Sequence, residues 1–67
     1  MMKYNVGDYV KTKFGAGEIR KIWALNDNIT VFVVYLYREH KTKELFFGEL
    51  DGKVEFVYTG RIEGQVK

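Results

Sequence analysis

Turn-forming residues interrupt this chain about every eight to twelve positions, which restricts each regular element to a short length. The segments between the interruptions are rich in Val, Ile, Tyr, Phe and Thr, the residues that favour β-strands. No segment repeats apolar residues at the i, i+3, i+4, i+7 spacing of an amphipathic helix. Five strands are therefore predicted, at residues 6–13, 18–25, 29–37, 42–47 and 54–59. One turn of 3₁₀ helix at residues 48–51 is the only helix that we expect.

A chain of 67 residues has room for one small core, because a domain of this size buries only about 60% of the surface that its unfolded form exposes. The sequence contains no cysteine for a disulfide and no ligand cluster that indicates a structural metal. The core must then come from the 46% of residues that are apolar. Five short strands cannot form two layers around a core, but one sheet that curls on itself can enclose one. We expect an all-β fold: a single five-stranded barrel over residues 1–60 and a short tail at residues 61–67.

The second predicted strand departs from strict alternation. Ile19 and Ile22 are three residues apart, so a regular strand would place them on opposite faces of the sheet. A bulge or sharp bend between Arg20 and Lys21 would return both isoleucines to one face. Bends of this kind are what a small barrel needs at its corners.

The third predicted strand is apolar on both faces. Period-two alternation gives one face with the residues Ile29, Val31, Val33, Tyr35 and Tyr37. The other face has the residues Thr30, Phe32, Val34, Leu36 and Arg38. Because the second face includes Thr30 and Arg38, we assign the first face to the core and expect Phe32, Val34 and Leu36 to form an outward interface. The tail offers only Ile62 and Val66 to cover such a row, so we expect a second subunit in a homodimer, or another protein, to cover it.

The segment KTKFGAGEIRKI, residues 11–22, contains two glycines that invite comparison with a phosphate-binding loop. A phosphate loop leads from a strand into a helix, whereas this segment leads into a predicted strand. We therefore interpret Gly15 and Gly17 as glycines that supply positive φ for a tight connection. Phe14 is expected to fold back as a lid on one end of the barrel.

Residues 6–10 (VGDYV), residues 14–19 (FGAGEI) and Ile22 resemble the pattern V-G-D-x-V, F-G-x-G-x-V/I, x-x-I. This pattern is found in SH3-like barrels of the tudor type, notably the C-terminal domain of UvrD and PcrA helicases, and more loosely in CarD-like and KOW modules. The similarity continues through residues 30–35 and 43–47 and through residues 48–50, where the family has a short 3₁₀ turn. The resemblance implies an SH3-like fold and a binding module that docks on RNA polymerase, on other proteins or on nucleic acid, without catalysis.

Basic residues cluster in the first predicted hairpin. Lys11 and Lys13 share a strand face, and Arg20 and Lys21 lie on the next strand, so the four are predicted to form a binding patch. Tyr9 and Trp23 would offer stacking surfaces for nucleic-acid bases beside the patch. The alternative is that the lysines protect the barrel surface from aggregation while Trp23 fills the core. Another alternative is an aromatic cage for methylated lysine, built from the tyrosines Tyr9, Tyr35 and Tyr37.

No pattern in the sequence indicates an enzyme. His40, the single histidine, lies in a charged turn without a predicted nucleophile beside it, and a zinc site needs three or four ligands. The carboxylates are scattered among basic residues, and Asp8 is expected to stabilise the turn before the first strand. We therefore expect no catalytic residues, no metal and no cofactor.

The expected function is a non-enzymatic interaction module that binds a protein of the nucleic-acid machinery, of the polymerase or helicase type, with nucleic acid as a further partner. The alternative is a small free-standing inhibitor or ligand-binding protein of a phage or mobile element, which acts by stoichiometric binding. The first residues lack the apolar run of a signal peptide, and the longest apolar run, residues 29–37, is far too short to span a bilayer. With the absence of cysteine, this predicts a cytoplasmic protein without membrane contact.

Overall fold

The structure, a computed structural model, describes residues 3–54, which contain five β-strands and one 3₁₀ turn. The elements in chain order are β1 (Tyr9–Thr12), β2 (Gly15–Ala24), β3 (Thr30–Leu36), β4 (Lys41–Phe46), the 3₁₀ helix (Phe47–Glu49) and β5 (Leu50–Lys53). The strands pair antiparallel in one sheet, in the order β4-β3-β2-β1-β5. The expectation of an all-β fold is confirmed for this part of the chain.

The first four predicted strands are confirmed, although β2 begins three residues earlier than predicted. The fifth predicted strand, residues 54–59, lies outside the described residues except for Val54, and so do the predicted barrel end and tail. β5 instead lies between the fourth and fifth predicted strands, where we expected a 3₁₀ turn at residues 48–51 and no strand, and it contains Asp and Gly, which are depleted in strands. It is a strand through pairing with β1, where Leu50 lies opposite Thr12 and Lys53 opposite Val10.

A bulge bends β2 at the predicted position. Ile19 pairs with Val34, and Lys21 pairs with Val33, so Arg20 is an extra residue on β2. Ile19 is fully buried and Ile22 packs against the same core. The prediction that a bulge returns both isoleucines to one face is confirmed.

The sheet is strongly curled, and the connection from β4 to β5 requires this. On a flat sheet, the registers of these two edge strands would place Phe46 and Leu50 about 30 Å apart. The four residue steps between them span about 14 Å at most. The sheet therefore folds over on itself, although β4 and β5 do not pair with each other within residues 3–54.

The core lies on the concave side of the curled sheet, and it corrects our assignment of the faces of β3. The core consists of Val10, Ile19, Phe32, Val34, Leu36, Leu45 and Leu50. Phe32 is 5% exposed and Val34 and Leu36 are fully buried, so the predicted outward interface of these three residues is wrong. Ile29 is 38% exposed rather than buried.

The neighbouring strands decide which face of β3 is buried. Phe32 lies between Ile22 and Leu45, whereas Val33 lies between Lys21 and Glu44, so at the centre of β3 only Phe32 meets apolar side chains on both sides. Thr30 is the first residue of the strand and Arg38 lies beyond its end, so neither residue indicates which face is buried at the centre of the strand.

The hairpin between β1 and β2 turns at Lys13 and Phe14, with Thr12 opposite Gly15. The Thr12 hydroxyl donates to the Gly15 carbonyl at 2.7 Å and accepts from the Phe14 N–H at 2.9 Å.

Gly15 has a φ of +111°, as predicted, but Gly17 does not have positive φ. Gly17 is instead required by close packing, because a Cβ there would lie 2.7 Å from Val34 Cγ1. Phe14 packs on the core, which agrees with its predicted role as a lid.

Candidate functional site

The convex side of the sheet, here called the outer face, presents an apolar and aromatic stripe. β3 contributes Val33 and Tyr35, which are half-buried, and Val31, which is only 3% exposed, to this face, because these residues alternate with the core residues Phe32, Val34 and Leu36. Val31 lies between Trp23 on β2 and Phe46 on β4. Tyr37 continues the row with its ring 5.6 Å from that of Tyr35. We call these six residues, Trp23, Val31, Val33, Tyr35, Tyr37 and Phe46, the aromatic stripe.

Charged residues flank the centre of the aromatic stripe on both sides. Val33 lies between Lys21 on β2 and Glu44 on β4, and both of these charged residues are exposed. At Val33 the stripe therefore has a positive neighbour on β2 and a negative one on β4, while the acid Glu18 on β2 lies beside Tyr35.

Arg20, on the bulge, is held against the stripe. Its guanidinium carbon lies 4.8 Å from the centroid of the Tyr35 ring, and its Nε lies 3.4 Å from Glu18 Oε1. The chain's own cation thus occupies the position over Tyr35 that a methylated lysine would need in an aromatic cage. Tyr9 lies beyond Glu18, two strands from Tyr35, so its backbone is about 10 Å away. The geometry does not favour a cage built from these tyrosines.

The four predicted patch residues are all exposed, but the register separates them into two groups. Lys11 lies opposite Ala16. Arg20 and Lys21 follow Ala16 by four and five residues along β2, which corresponds to about 13–17 Å. Lys13 lies beyond the end of β1, where its Nζ is 5.9 Å from the centroid of the Phe14 ring. The structure therefore does not bring the four cations together.

The two aromatic residues predicted to bind bases occupy different positions. Trp23 is half-buried on the outer face, at the end of the aromatic stripe, so it is not part of the core. Tyr9 is half-buried on β1, where it lies opposite Glu18, five residues before Trp23 along β2. They do not lie on neighbouring parts of one surface.

A pocket of about 310 Å³ adjoins the end of the stripe at Phe46. Its lining includes Ile29, Phe46 and Phe47, of which Phe46 and Phe47 are each about half exposed. The Asn26 side chain shapes the adjacent loop by accepting from the Asn28 and Ile29 N–H groups at 2.8 and 2.9 Å. Sequence reasoning missed this pocket, since it forms only where the loop before β3 meets the end of β4.

The described residues contain no group of three or more His, Cys, Asp or Glu side chains placed to hold a metal ion. His40 is exposed in the turn between β3 and β4, with a φ of +57°. Within residues 3–54 no helix has the length and apolar character to cross a membrane.

Comparison of the chain with models of protein families, with curated proteins and with solved structures found no match.

Proposed function

We propose that this chain is a non-enzymatic binding module that docks on another protein through the aromatic stripe of its outer face. The partner would present an apolar patch with aliphatic or aromatic side chains. From the resemblance to tudor-type barrels, we infer that the partner belongs to the nucleic-acid machinery.

The observation that carries the proposal is the composition of the outer face. Three half-buried aromatic residues and the half-buried Val33 accompany Phe46, which is 51% exposed, and an arginine lies beside them, while Val31, at 3% exposed, lies buried between them. Tyr, Trp and Arg are the residues that dominate binding energy at protein interfaces. Extended apolar patches on small proteins are usually binding surfaces.

The flanking charges would orient the partner. With Lys21 on one border and Glu44 on the other, the partner is expected to carry an acidic group opposite β2 and a basic group opposite β4. Charges at the rim of an interface contribute mainly to specificity and association rate, while the apolar centre contributes most of the affinity.

The chain topology supports the finer assignment to an SH3-like barrel of the tudor type. Four strands form a meander, a 3₁₀ turn follows, and β5 returns to pair with β1. The long β2 bends at its bulge and lets one sheet supply two walls of the same core. This arrangement agrees with the one that the resemblance of residues 6–22 implies.

The test is capture of a partner by the full chain from a bacterial lysate, with and without nuclease, followed by affinity measurement with the purified partner. The informative variant is Val33→Lys, and its matched control is Val6→Lys, because Val6 is 60% exposed and lies outside the stripe. We expect capture to survive nuclease and Val33→Lys to weaken affinity at least tenfold, while Val6→Lys leaves it unchanged.

Three results would contradict the proposal. Equal affinity of wild type and Val33→Lys would place the contact elsewhere. Loss of capture on nuclease treatment would show that nucleic acid bridges the two proteins. A wild-type dimer in light scattering that Val33→Lys converts to a folded monomer would show that a second copy covers the stripe.

A further inference from the structure

We propose that one end of the sheet, where the β1–β2 hairpin meets the β3–β4 hairpin, binds the phosphodiester backbone of a nucleic acid. This surface, here called the hairpin end, is separate from the aromatic stripe. Its basic residues are Lys11, Lys13, Arg38, Lys41 and Lys43. Only two of them, Lys11 and Lys13, belong to the patch predicted from the sequence.

The backbone brings the two hairpins side by side. The Tyr37 N–H donates to the Ala16 carbonyl at 3.1 Å. A Cβ on Gly15 would lie 4.0 Å from the Cβ of Arg38. Lys11 is the residue opposite Ala16 on β1, so it lies next to this junction. Cations that are far apart in the sequence therefore lie at one end of the sheet, with Lys11 on the outer face and Lys43 on the side of the core.

Two lysines, one from each hairpin, converge on the ring of Phe14. Lys43 Nζ lies 4.4 Å from the ring centroid and Lys13 Nζ lies 5.9 Å from it. The electron-rich face of an aromatic ring attracts cations, but it carries no net charge. The ring therefore holds two ammonium groups near each other without neutralising them.

The charges of the hairpin end are largely uncompensated. Among the described residues, Lys41 is the one member with a carboxylate within 4 Å, at 3.9 Å from Glu39. Glu49, whose carbonyl accepts from the Lys13 N–H at 3.2 Å, and Asp51 on β5 are the other acids of this region. The five basic and three acidic residues carry a net charge of +2, equal to that of the whole chain. The remaining residues are therefore neutral in sum, and the net positive charge of the protein lies at this end.

The spread of the cations fits a polymer of phosphates better than a single phosphate. Measured along the sheet, β1 and β4 are three strand spacings apart, about 14 Å, and the register offsets Lys11 from Lys43 by three further residues along the strands. Phosphates of a nucleic-acid strand are spaced along such a distance, and basic side chains bind them without reading the sequence.

The surroundings of the cations favour nucleic acid over an acidic protein or a membrane. Protein interfaces and membrane-bound surfaces rely on exposed apolar side chains. The exposed large apolar residues of the described chain are Val6, Leu25, Ile29, Phe46 and Phe47. None of them belongs to the β1–β2 or β3–β4 hairpin turn, and Phe14 lies beneath two lysines.

The test is fluorescence anisotropy of a labelled 20-nucleotide single-stranded DNA of mixed sequence, titrated with the full chain at several salt concentrations. We expect wild-type binding with Kd of about 10⁻⁴ to 10⁻⁶ M near physiological salt, weakening as salt rises. The double variant Lys13→Gln/Arg38→Gln is expected to bind at least tenfold more weakly and to lower the salt slope by about 1.4, since each lost phosphate contact removes about 0.7 for single strands. Arg20→Gln/Lys21→Gln, which removes the same charge from the outer face, is the matched control and should change the affinity less than threefold.

Several results would overturn the inference. One is absence of wild-type binding at about 50 mM salt, and another is equal weakening by the two double variants, which would indicate only diffuse charge attraction. Equal binding to polyglutamate or to vesicles containing anionic lipid would assign the hairpin end to another polyanion. Melting curves confirm that each variant folds. If Lys13→Gln/Arg38→Gln does not fold, Lys11→Gln takes its place as the variant of the hairpin end. Val33→Lys is expected to leave DNA binding intact, so failure of this inference and failure of the protein-docking proposal are distinguishable.

Discussion

The α-carbon of Gly17 lies so close to the backbone of Tyr35 on β3 that a Cβ atom at residue 17 would collide with the Tyr35 carbonyl oxygen. Gly17 is buried, and the same Cβ would also lie 2.7 Å from Val34 Cγ1. The carbonyl belongs to a sheet ladder and cannot move without loss of pairing. Gly17 thus allows β2 and β3 to approach where both contribute to the core.

We predict that Gly17→Ala lowers the free energy of unfolding by about 1–3 kcal/mol, the usual cost of overpacking a core. In a domain of this size, each kcal/mol corresponds to a decrease in Tm of roughly 4–8 °C. Thermal unfolding followed by circular dichroism measures the change. Gly48→Ala is the control, because a Cβ at residue 48 would meet no atom within 4 Å and its φ is not positive. Equal melting temperatures for the two variants would contradict the steric role of Gly17.

The two faces of β3 give a second prediction. Val34→Lys should unfold the protein, because Val34 is fully buried and an unpaired lysine in the core loses its hydration. Val33→Lys should remain folded, since Val33 is half-buried on the outer face beside Glu44. Circular dichroism of the two purified variants makes the comparison. A folded Val34→Lys together with an unfolded Val33→Lys would reverse the assignment of the faces.

The sequence predicted the features of the fold that depend on local pattern. Four strands followed from composition and from the spacing of turns, and the bulge at Arg20 followed from the distance between Ile19 and Ile22. These signals are local, because strand propensity and alternation are properties of a few neighbouring residues.

Features that depend on pairing between distant residues were not predictable in this way. The burial of Phe32 rather than Val33 is decided by Ile22 and Leu45, which become neighbours only once the register is known. β5 exists as a strand because β1 pairs with it. The hairpin end likewise joins Lys13 to Lys43 across thirty positions of sequence, a grouping that charge counts along the chain do not reveal.

A third prediction concerns His40, whose φ of +57° lies in the left-handed region that side chains with a Cβ disfavour. His40 closes the turn between β3 and β4, where its N–H donates to the Leu36 carbonyl at 2.8 Å. We expect His40→Gly to raise stability by about 0.5–1 kcal/mol, because relief of strain exceeds the added entropy of the unfolded chain. His40→Val should lower stability, since a β-branched residue tolerates this conformation least. Denaturant titration of the three proteins tests the order, and His40→Val at least as stable as wild type would contradict it.

The last prediction concerns Tyr4, which lies before β1 and contacts two rings that close one end of the core. Its ring centroid is 5.6 Å from that of Phe32 and 5.7 Å from that of Phe47, both in edge-to-face geometry. Tyr4→Ala would remove both contacts and expose part of Phe32, so we expect a loss of about 1–3 kcal/mol, with each aromatic pair contributing roughly 0.5–1.5 kcal/mol. Tyr4→Phe is the control: within residues 3–54 the Tyr4 hydroxyl makes no hydrogen bond, so removing it should change stability little. Urea unfolding measures both variants. If Tyr4→Ala unfolds at the same midpoint as Tyr4→Phe, then the N-terminal segment does not stabilise the core, and the packing of Phe32 depends on Phe47 and the strands alone.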